Sequence, residues 1–323
     1  MTTRDDTRRL VPPGFLSNAG RYPAVAIIAL LLVAFSTVSP FFLKLGNVEA
    51  MLGANSVVLI AAVGMTLVFL TGGIDLSIAT VISASAVIAG LVMAATDSIV
   101  LGVLTALAVG AGFGCLNGVL IGVLGLTPFI TTMATQLIAR GVAFVLSQGV
   151  AVKGTPYALL DLGFVTVLGV PAITWIALLV VALFVWLLSF TTWGRHVMLV
   201  GSNRAAARYS GIRVSRVEFG VYALSGLLGG LAGFVSIANL GNAIPGVGDT
   251  LLLIIIGAVV LGGTDMNGGE GSIGRTVLGV ALLAILFNGL NLIGIPFYDQ
   301  LIVQGVLIFV GTWLAMTFGR RRT

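Results

Sequence analysis

The 323-residue chain is 58% hydrophobic and only 8% charged, with a mean hydropathy of +1.16. A soluble domain carries about a quarter charged residues, so these values exclude a protein whose surface lies mainly in water. The net charge of +5 is interpreted as a signal of membrane topology, with no nucleic-acid partner. Long apolar runs without period-2 alternation favour spanning helices over a β-barrel. We therefore expect an all-α membrane protein.

In chain order, ten apolar segments are predicted to cross the membrane, because about 20 helical residues span a hydrocarbon core of ~30 Å. They cover 22–38, 50–70, 74–94, 99–124, 127–147, 172–190, 219–240, 251–263, 276–295 and 301–318. Glycine-rich turns flank the third and eighth segments, so either could be a broken or re-entrant helix. The predicted domains are a tail over 1–21, a transmembrane domain over 22–318 with a loop at 191–218, and a tail over 319–323.

Basic residues predict which side each loop occupies, because Lys and Arg concentrate in loops kept in the cytoplasm. With ten spans, both termini share a side. The termini and the 191–218 loop are rich in arginine, whereas their alternate loops hold only Lys44 and Lys153. We therefore expect both tails and the 191–218 loop to be cytoplasmic. Two Gly-Gly-x-Asp sequences, at 72–75 and 262–265, face that side in the same topology.

Catalytic and metal-binding groups are scarce in this sequence. The single histidine, His196, lacks the Cys, His or carboxylate neighbours of a metal site, and the single cysteine, Cys115, lies within an apolar span. A phosphate-binding loop needs a glycine followed by lysine, and neither lysine follows a glycine. We expect a chain that is not an enzyme and binds no cofactor, so that any ATPase is a separate subunit.

Polar residues inside the spans are candidates for a translocation path, because unpaired polar groups avoid lipid. Three of them recur every four residues in the fifth span and share one helix face, and the arginine among them is close enough to the outer interface to snorkel. Two asparagines are spaced i,i+3 in the ninth span. Hydrogen bonds between packed helices explain the same residues, and both interpretations stay open. The candidates are Thr132, Gln136, Arg140, Asn117, Asn288 and Asn291.

The sequence "TGGIDLS" at 71–77 places a carboxylate between two apolar spans. Gly72 and Gly73 permit a sharp turn in the backbone. Asp75, with Ser77 just beyond it, can cap the start of the third span, where free amides and the helix dipole favour an anion. The alternative is a gating role for Asp75 at a broken helix, including pairing with an arginine.

Three stretches, in order, resemble the permease subunits of ribose-type ABC sugar importers. They are "GMTLVFLTGGIDLSIA" at 64–79, "TTWGRHVMLVGSNRAAARYSGIRVSRVEFGVYALSG" at 191–226 and "LGGTDMNGGEGSIGRTVLGVALLAILFNGLNLIGIP" at 261–296. One departure is Ala79, where that family pattern has a glycine. The resemblance covers most of the chain between the second span and the tenth.

The resemblance implies the type II ABC importer permease fold. Two copies, or two paralogous permeases, would form the path through the bilayer. A separate ABC ATPase would carry ATP and Mg, and an external sugar-binding protein would deliver the substrate. The expected function is uptake of a monosaccharide or related polyol across the bacterial inner membrane. The alternatives are an ABC permease for nucleosides or branched-chain amino acids, and an ion-coupled secondary transporter with Asp75 and Arg140 as its candidate site.

Within the basic loop, residues 202–211 predict a short surface helix, which the resemblance assigns to contact with the ATPase. Ser202 or Asn203 can serve as its N-cap, and Gly211 ends it. An interfacial helix anchored by arginines is the alternative. The residues assigned to the ATPase-coupling loop are Arg195, Asn203, Ala205, Ala206, Arg208, Gly211 and Ile212.

Overall fold

The computed structural model describes the backbone of residues 23–319 and the side chains of residues 24–309. The tail predicted at 1–21 and the last four residues lie outside this part of the chain. The described elements are α1 (Pro23–Val38), α2 (Leu45–Leu70), α3 (Ile78–Thr96), α4 (Ile99–Gly118) with a π-helical turn (Val119–Val123), α5 (Pro128–Ser147), α6 (Tyr157–Phe164), β1 (Thr166–Val167), β2 (Val170–Pro171), α7 (Ala172–Phe190), α8 (Thr192–Ser202), α9 (Arg204–Tyr209), α10 (Val214–Leu240), α11 (Leu251–Leu261), α12 (Ile273–Leu292) and α13 (Phe297–Gly319).

Seven helices of the described chain are long and apolar enough to cross a membrane: α2, α3, α4 with its π-helical turn, α5, α7, α10 and α12. Shorter apolar helices occupy the first, eighth and tenth predicted segments. The all-α membrane class is therefore confirmed, and each predicted segment coincides with an apolar helix. Helix α11 has only 11 residues, and at 1.5 Å per residue it covers about half of the hydrocarbon core.

Helices α4 and α10 approach each other backbone to backbone. Glycines recur every four residues along α4, and an added Cβ at Gly114 would lie 2.5 Å from the carbonyl oxygen of Tyr222. At Gly118, the added Cβ would lie 2.8 Å from the carbonyl oxygen of Phe219. Small residues permit such close packing in a bilayer, where apolar side chains gain little by leaving lipid. The pair forms the centre of the bundle, and α2 and α3 pack against α10.

The helices around this centre differ in how much of their surface is covered. Residues 56–70 of α2 are buried on every side. The small residues of α3 allow the close contact expected of them, since an added Cβ at Gly233 of α10 would lie 2.6 Å from the carbonyl oxygen of Ile82. By contrast, Leu137 in α5 and Leu179 in α7 are 64% and 71% exposed. These outward apolar faces fit contact with lipid.

The connecting segments gather at two ends of the bundle. At one end, here called the junction face, the 71–77 and 262–272 segments meet the end of α8, so the expectation that both Gly-Gly-x-Asp sequences share a side is confirmed. At the other end, called the opposite face, Val152 and Ala243 form an isolated antiparallel bridge. The β1–β2 hairpin and α6 lie between α5 and α7 at that end.

Several predicted boundaries are wrong. Helix α3 begins at Ile78 and not at 74, because tertiary contacts described below hold the preceding residues in a turn. Helix α10 begins at Val214, so the last five residues of the predicted 191–218 loop are helical. The unpredicted helix α8 fills the first half of the same loop, where Thr191 Oγ1 accepts a hydrogen bond from Gly194 N at 3.1 Å and caps the helix. The short helix α6 was also not predicted.

The close contact between α4 and α10 predicts a position-specific effect of adding one methyl group. The Cβ of Gly110→Ala would overlap the backbone of α10 at Gly226, and overpacking of this kind costs about 1–3 kcal/mol. On the same helix, an added Cβ at Gly112 has no atom within 4 Å. Gly110→Ala should therefore lower the midpoint of thermal unfolding in detergent. Gly112→Ala is the control and should leave that midpoint unchanged or raised. Equal midpoints for the two variants would contradict the close approach.

Candidate functional site

The three stretches singled out in the sequence converge at the junction face. Gly72 has a φ of +73°, and an added Cβ there would lie 2.8 Å from the carbonyl oxygen of Asn267. The Gly269 amide donates to the carbonyl oxygen of Leu70 at 3.0 Å. An added Cβ at Gly201, near the end of α8, would overlap the same carbonyl. Glycines are required here because three backbones meet without room for side chains.

Asp75 lies at the centre of a buried hydrogen-bond network and is only 1% exposed. Its Oδ1 accepts from the Ser77 amide at 3.0 Å and from Ser77 Oγ at 2.6 Å, and its Oδ2 accepts from Ser225 Oγ at 2.8 Å. Asn117 Nδ2 donates to Ser77 Oγ at 2.9 Å. The carboxylate therefore ties the start of α3 to α10 and, through Ser77, to α4. Its partners in this network are hydroxyls and an amide, with no arginine among them.

The carbonyl oxygen of Ile74 is a second meeting point beside Asp75. It accepts from the Tyr222 hydroxyl of α10 at 3.3 Å and from Thr132 Oγ1 of α5 at 3.4 Å. An added Cβ at Gly73 would overlap the Tyr222 hydroxyl. A glycine is needed at each position for a different reason. Gly72 adopts the left-handed backbone conformation of the turn, and Gly73 leaves room for the Tyr222 hydroxyl.

The predicted surface helix is present as α9, and its cap is Asn203, whose Oδ1 accepts from the Ala206 amide at 3.0 Å. Gly211 follows with a φ of +81°, as expected for the residue that ends the helix. Arg204 at the start of α9 is ion-paired with Glu218 of α10, a carboxylate whose side chain is only 8% exposed. The remaining residues assigned to this loop are exposed, except for the half-buried Ile212: Arg195, Ala205, Ala206 and Arg208.

The polar face of α5 runs from the junction face towards the opposite face. Thr132 is buried against Ile74, Gln136 is half-buried, and Arg140 is exposed. Arg140 is ion-paired with Asp249 at 2.9 Å. The segment before α11 therefore supplies Arg140 with a carboxylate partner that the sequence did not indicate, and snorkelling to the outer interface stays a prediction.

The other polar candidates make contacts between elements. Asn288 and Asn47 exchange two hydrogen bonds of 2.9 Å, which fasten α12 to the start of α2. Asn291 Oδ1 accepts from Gln300 of α13 at 2.8 Å. These contacts agree with the interpretation that the asparagines form hydrogen bonds between packed helices. Of the residues proposed for the path, the structure brings Asn117 and Thr132 to the Asp75 region and leaves the other four elsewhere.

Sequence reasoning missed three residues of this site, all on α10: Glu218, Tyr222 and Ser225. Their spacing of four and three residues was visible and puts them on one helix face. The sequence lacked any sign that this face meets Asp75. A recess of about 450 Å³ also opens at the junction face between α8 and α12, with Met198 and Arg275 in its lining. Among the described side chains, no three His, Cys, Asp or Glu residues are grouped to hold a metal ion.

Comparison with known proteins matches the chain to a family of membrane permeases. Residues 47–311 match the family described as "Branched-chain amino acid transport system / permease component". The chain belongs to this permease family. Its spanning helices and the match together identify a multi-pass membrane protein.

Individual relatives match the permease over most of its length. It is 39% identical to the ribose import permease protein of Escherichia coli K12, over 88% of this chain and 90% of that protein. The ribose import permease protein of Bacillus subtilis 168 is 36% identical over 96% of each chain. The L-arabinose transport system permease protein of E. coli K12 is 33% identical over 89% of this chain and 88% of its own. The resemblance to ribose-type permeases is therefore confirmed. No solved structure matches the chain.

The network around Asp75 predicts a loss of transport that exceeds the loss of protein. Asp75→Ala leaves the Ser77 and Ser225 hydroxyls without their acceptor, at a cost of about 1–3 kcal/mol for a buried polar group. We expect the amount of protein in the membrane to fall less than the rate of uptake, measured in the same cells. Asp161→Ala, at an exposed position of α6, is the control. If the amount of protein in the membrane and the rate of uptake fell by the same factor, the result would favour the interpretation of Asp75 as a helix cap.

Proposed function

We propose that the chain is the transmembrane permease subunit of an ATP-driven ABC importer that carries a monosaccharide or related polyol across the bacterial inner membrane. The observation that carries this proposal is the match along most of the chain to permeases named for ribose, D-allose and L-arabinose. The scarcity of charge across the spans suits a neutral, hydroxylated solute. The family description names branched-chain amino acids, so an ABC permease for those solutes or for nucleosides is the second candidate.

The junction face is proposed to be cytoplasmic, with both tails on that side and ten spans in the type II importer fold. Support comes from the distribution of charge, because arginines cluster around α8 and α9 whereas Lys44 and Lys153 stand at the other end. An external sugar-binding protein would then dock on the opposite face. There the 149–171 and 241–249 segments are fastened to each other by the Val152–Ala243 bridge.

Helix α9 is proposed as the docking element for a separate ABC ATPase, which would bind ATP and Mg, while this chain binds no cofactor. Ala205 and Ala206 are exposed and leave room for a partner surface. Tyr209 is 93% exposed, and aromatic side chains of this kind often anchor protein interfaces. Exposed Arg195 and Arg208 favour an acidic partner surface by charge complementarity.

Two permease copies, or this chain and a paralogue, are proposed to enclose the path and to alternate between inward-open and outward-open states as the ATPase pair closes. Gln136, which is half-buried, is the residue of α5 proposed to face that path. The ion-coupled alternative would join Asp75 and Arg140 in one site. It is not favoured, because Asp75 is bonded to serines and Arg140 to Asp249.

Purification of the tagged chain from native membranes in mild detergent, followed by mass spectrometry, tests the proposal. Stoichiometric recovery of an ATPase with a Walker motif supports it. The same experiment reports whether a second permease is present. Sugar uptake by the chain reconstituted alone, without ATPase, would overturn it. A ligand screen on the associated binding protein then separates sugars from nucleosides and branched-chain amino acids.

Docking through α9 predicts that Ala206→Glu weakens contact with the ATPase without preventing insertion into the membrane. A bulky anion would replace a small exposed side chain and face an acidic partner. We expect recovery of the ATPase with the tagged permease to fall by about tenfold, as for a loss of 1.4 kcal/mol in binding free energy. Ala158→Glu changes an exposed alanine on the opposite face and should leave recovery intact. Unchanged recovery and uptake in Ala206→Glu would contradict docking at α9.

A further inference from the structure

We propose that one face of α10 links the docking helix α9 to the start of α3, with Glu218, Tyr222 and Ser225 as positioning residues that transmit movement between them. The inference rests on the proposed function, because it assigns a route from the ATPase contact into the spans. None of the three residues is exposed to a partner at the junction face, since each is at most 6% exposed. Their role would therefore be exerted through the elements they hold.

The three side chains share one helix face and each reaches a different element. At four and three residues apart, they lie within about 60° of one another around α10. Glu218 is ion-paired with Arg204 of α9, Tyr222 donates to the Ile74 carbonyl, and Ser225 donates to Asp75. One face of α10 therefore holds both the docking helix and the turn that begins α3.

Movement at one end of this face has to appear at the other, because α10 is locked against α4. The carbonyl oxygens of Phe219 and Tyr222 lie against Gly118 and Gly114 of α4 with no side chain between them. A packed backbone contact has no flexible atoms that could absorb a shift. Asn117 of α4 also donates to Ser77, so the start of α3 is tied to both members of the locked pair.

The turn at 71–77 is the compliant part of the linkage. It is not helical, and Gly72 within it has a left-handed backbone conformation. The helix that it begins carries Ser83, whose Oγ accepts from the Gly248 amide at 2.9 Å. Asp249, which follows Gly248 in the chain, forms the ion pair with Arg140. A shift of α3 would therefore reach the 241–250 segment at the opposite face, where the binding protein is proposed to dock.

Electrostatics make the α9 end of the linkage sensitive to substitution. Glu218 is a nearly buried carboxylate, whereas Arg204 is half exposed, so removing the Glu218 charge breaks the ion pair and leaves the arginine in contact with solvent. Glu218→Gln keeps the size of the side chain and removes its charge. Because Glu218 is not exposed, this variant loosens α9 from α10 without altering the proposed docking surface.

The linkage is tested in nanodiscs that contain the permease with its copurified ATPase, to which the sugar-loaded binding protein is added. Glu218→Gln, Tyr222→Phe and Ser225→Ala are compared with Ser236→Ala, a buried serine further along α10. We expect stimulation of ATP hydrolysis by the loaded binding protein to fall by about tenfold in each of the three variants, within the usual range for coupling between sites. The recovery of ATPase and the basal rate of hydrolysis should match those of the control, and the loss of stimulation should not scale with any fall in the thermal midpoint across the three variants.

Two outcomes overturn the linkage, and a third overturns the function on which it rests. Full stimulation in all three variants means that α10 does not transmit the signal through these residues. If the loss of stimulation is proportional to the fall in the thermal midpoint across the variants, the residues only support the fold. Hydrolysis in the wild-type assembly that does not respond to the loaded binding protein would count against the proposed importer itself.

Discussion

Contact between the backbones of α4 and α10 is the constraint on which the rest of the molecule depends. Side chains would hold two spanning helices about 8–10 Å apart, whereas glycines let them come closer. Gly114 and Gly118 occupy that contact on α4. It presents the faces of α10 at fixed positions, and α2, α3 and α9 are arranged around them. In lipid, close van der Waals packing of this kind stabilises the helix pair, whereas a soluble core is stabilised mainly by removing apolar surface from water.

The buried carboxylate of Asp75 follows from this arrangement. A charge buried in the interior of a protein is costly unless other groups satisfy it. Asp75 is held by the Ser77 amide and by the hydroxyls of Ser77 and Ser225, so both carboxylate oxygens are bonded. Apolar residues could pack at this position, but they could not fix three elements through directional bonds. The motif at 71–77 therefore combines a local turn, closed by the bond from the Ser77 amide to Asp75, with a connection between distant helices.

The two ends of the bundle are connected differently, in keeping with different tasks. At the junction face, short glycine-rich segments meet the exposed, arginine-bearing α9. At the opposite face, the Val152–Ala243 bridge and the Arg140–Asp249 ion pair join segments that are distant in sequence. In the proposed importer, the junction face would contact the ATPase and the opposite face would receive the solute.

Composition and local patterns predicted the membrane class, the approximate positions of the apolar helices, the family motifs and a cap for α9 at Ser202 or Asn203, of which the structure has Asn203. Each of these depends on composition or on residues within a few positions of one another. Tertiary contacts were needed to locate the start of α3, the group that pairs with Arg140 and the helix face that meets Asp75. Asp75 and Ser225 are 150 residues apart, and a hydroxyl at that distance leaves no local pattern. The partners of such residues depend on how the helices pack, and this is set by the whole chain.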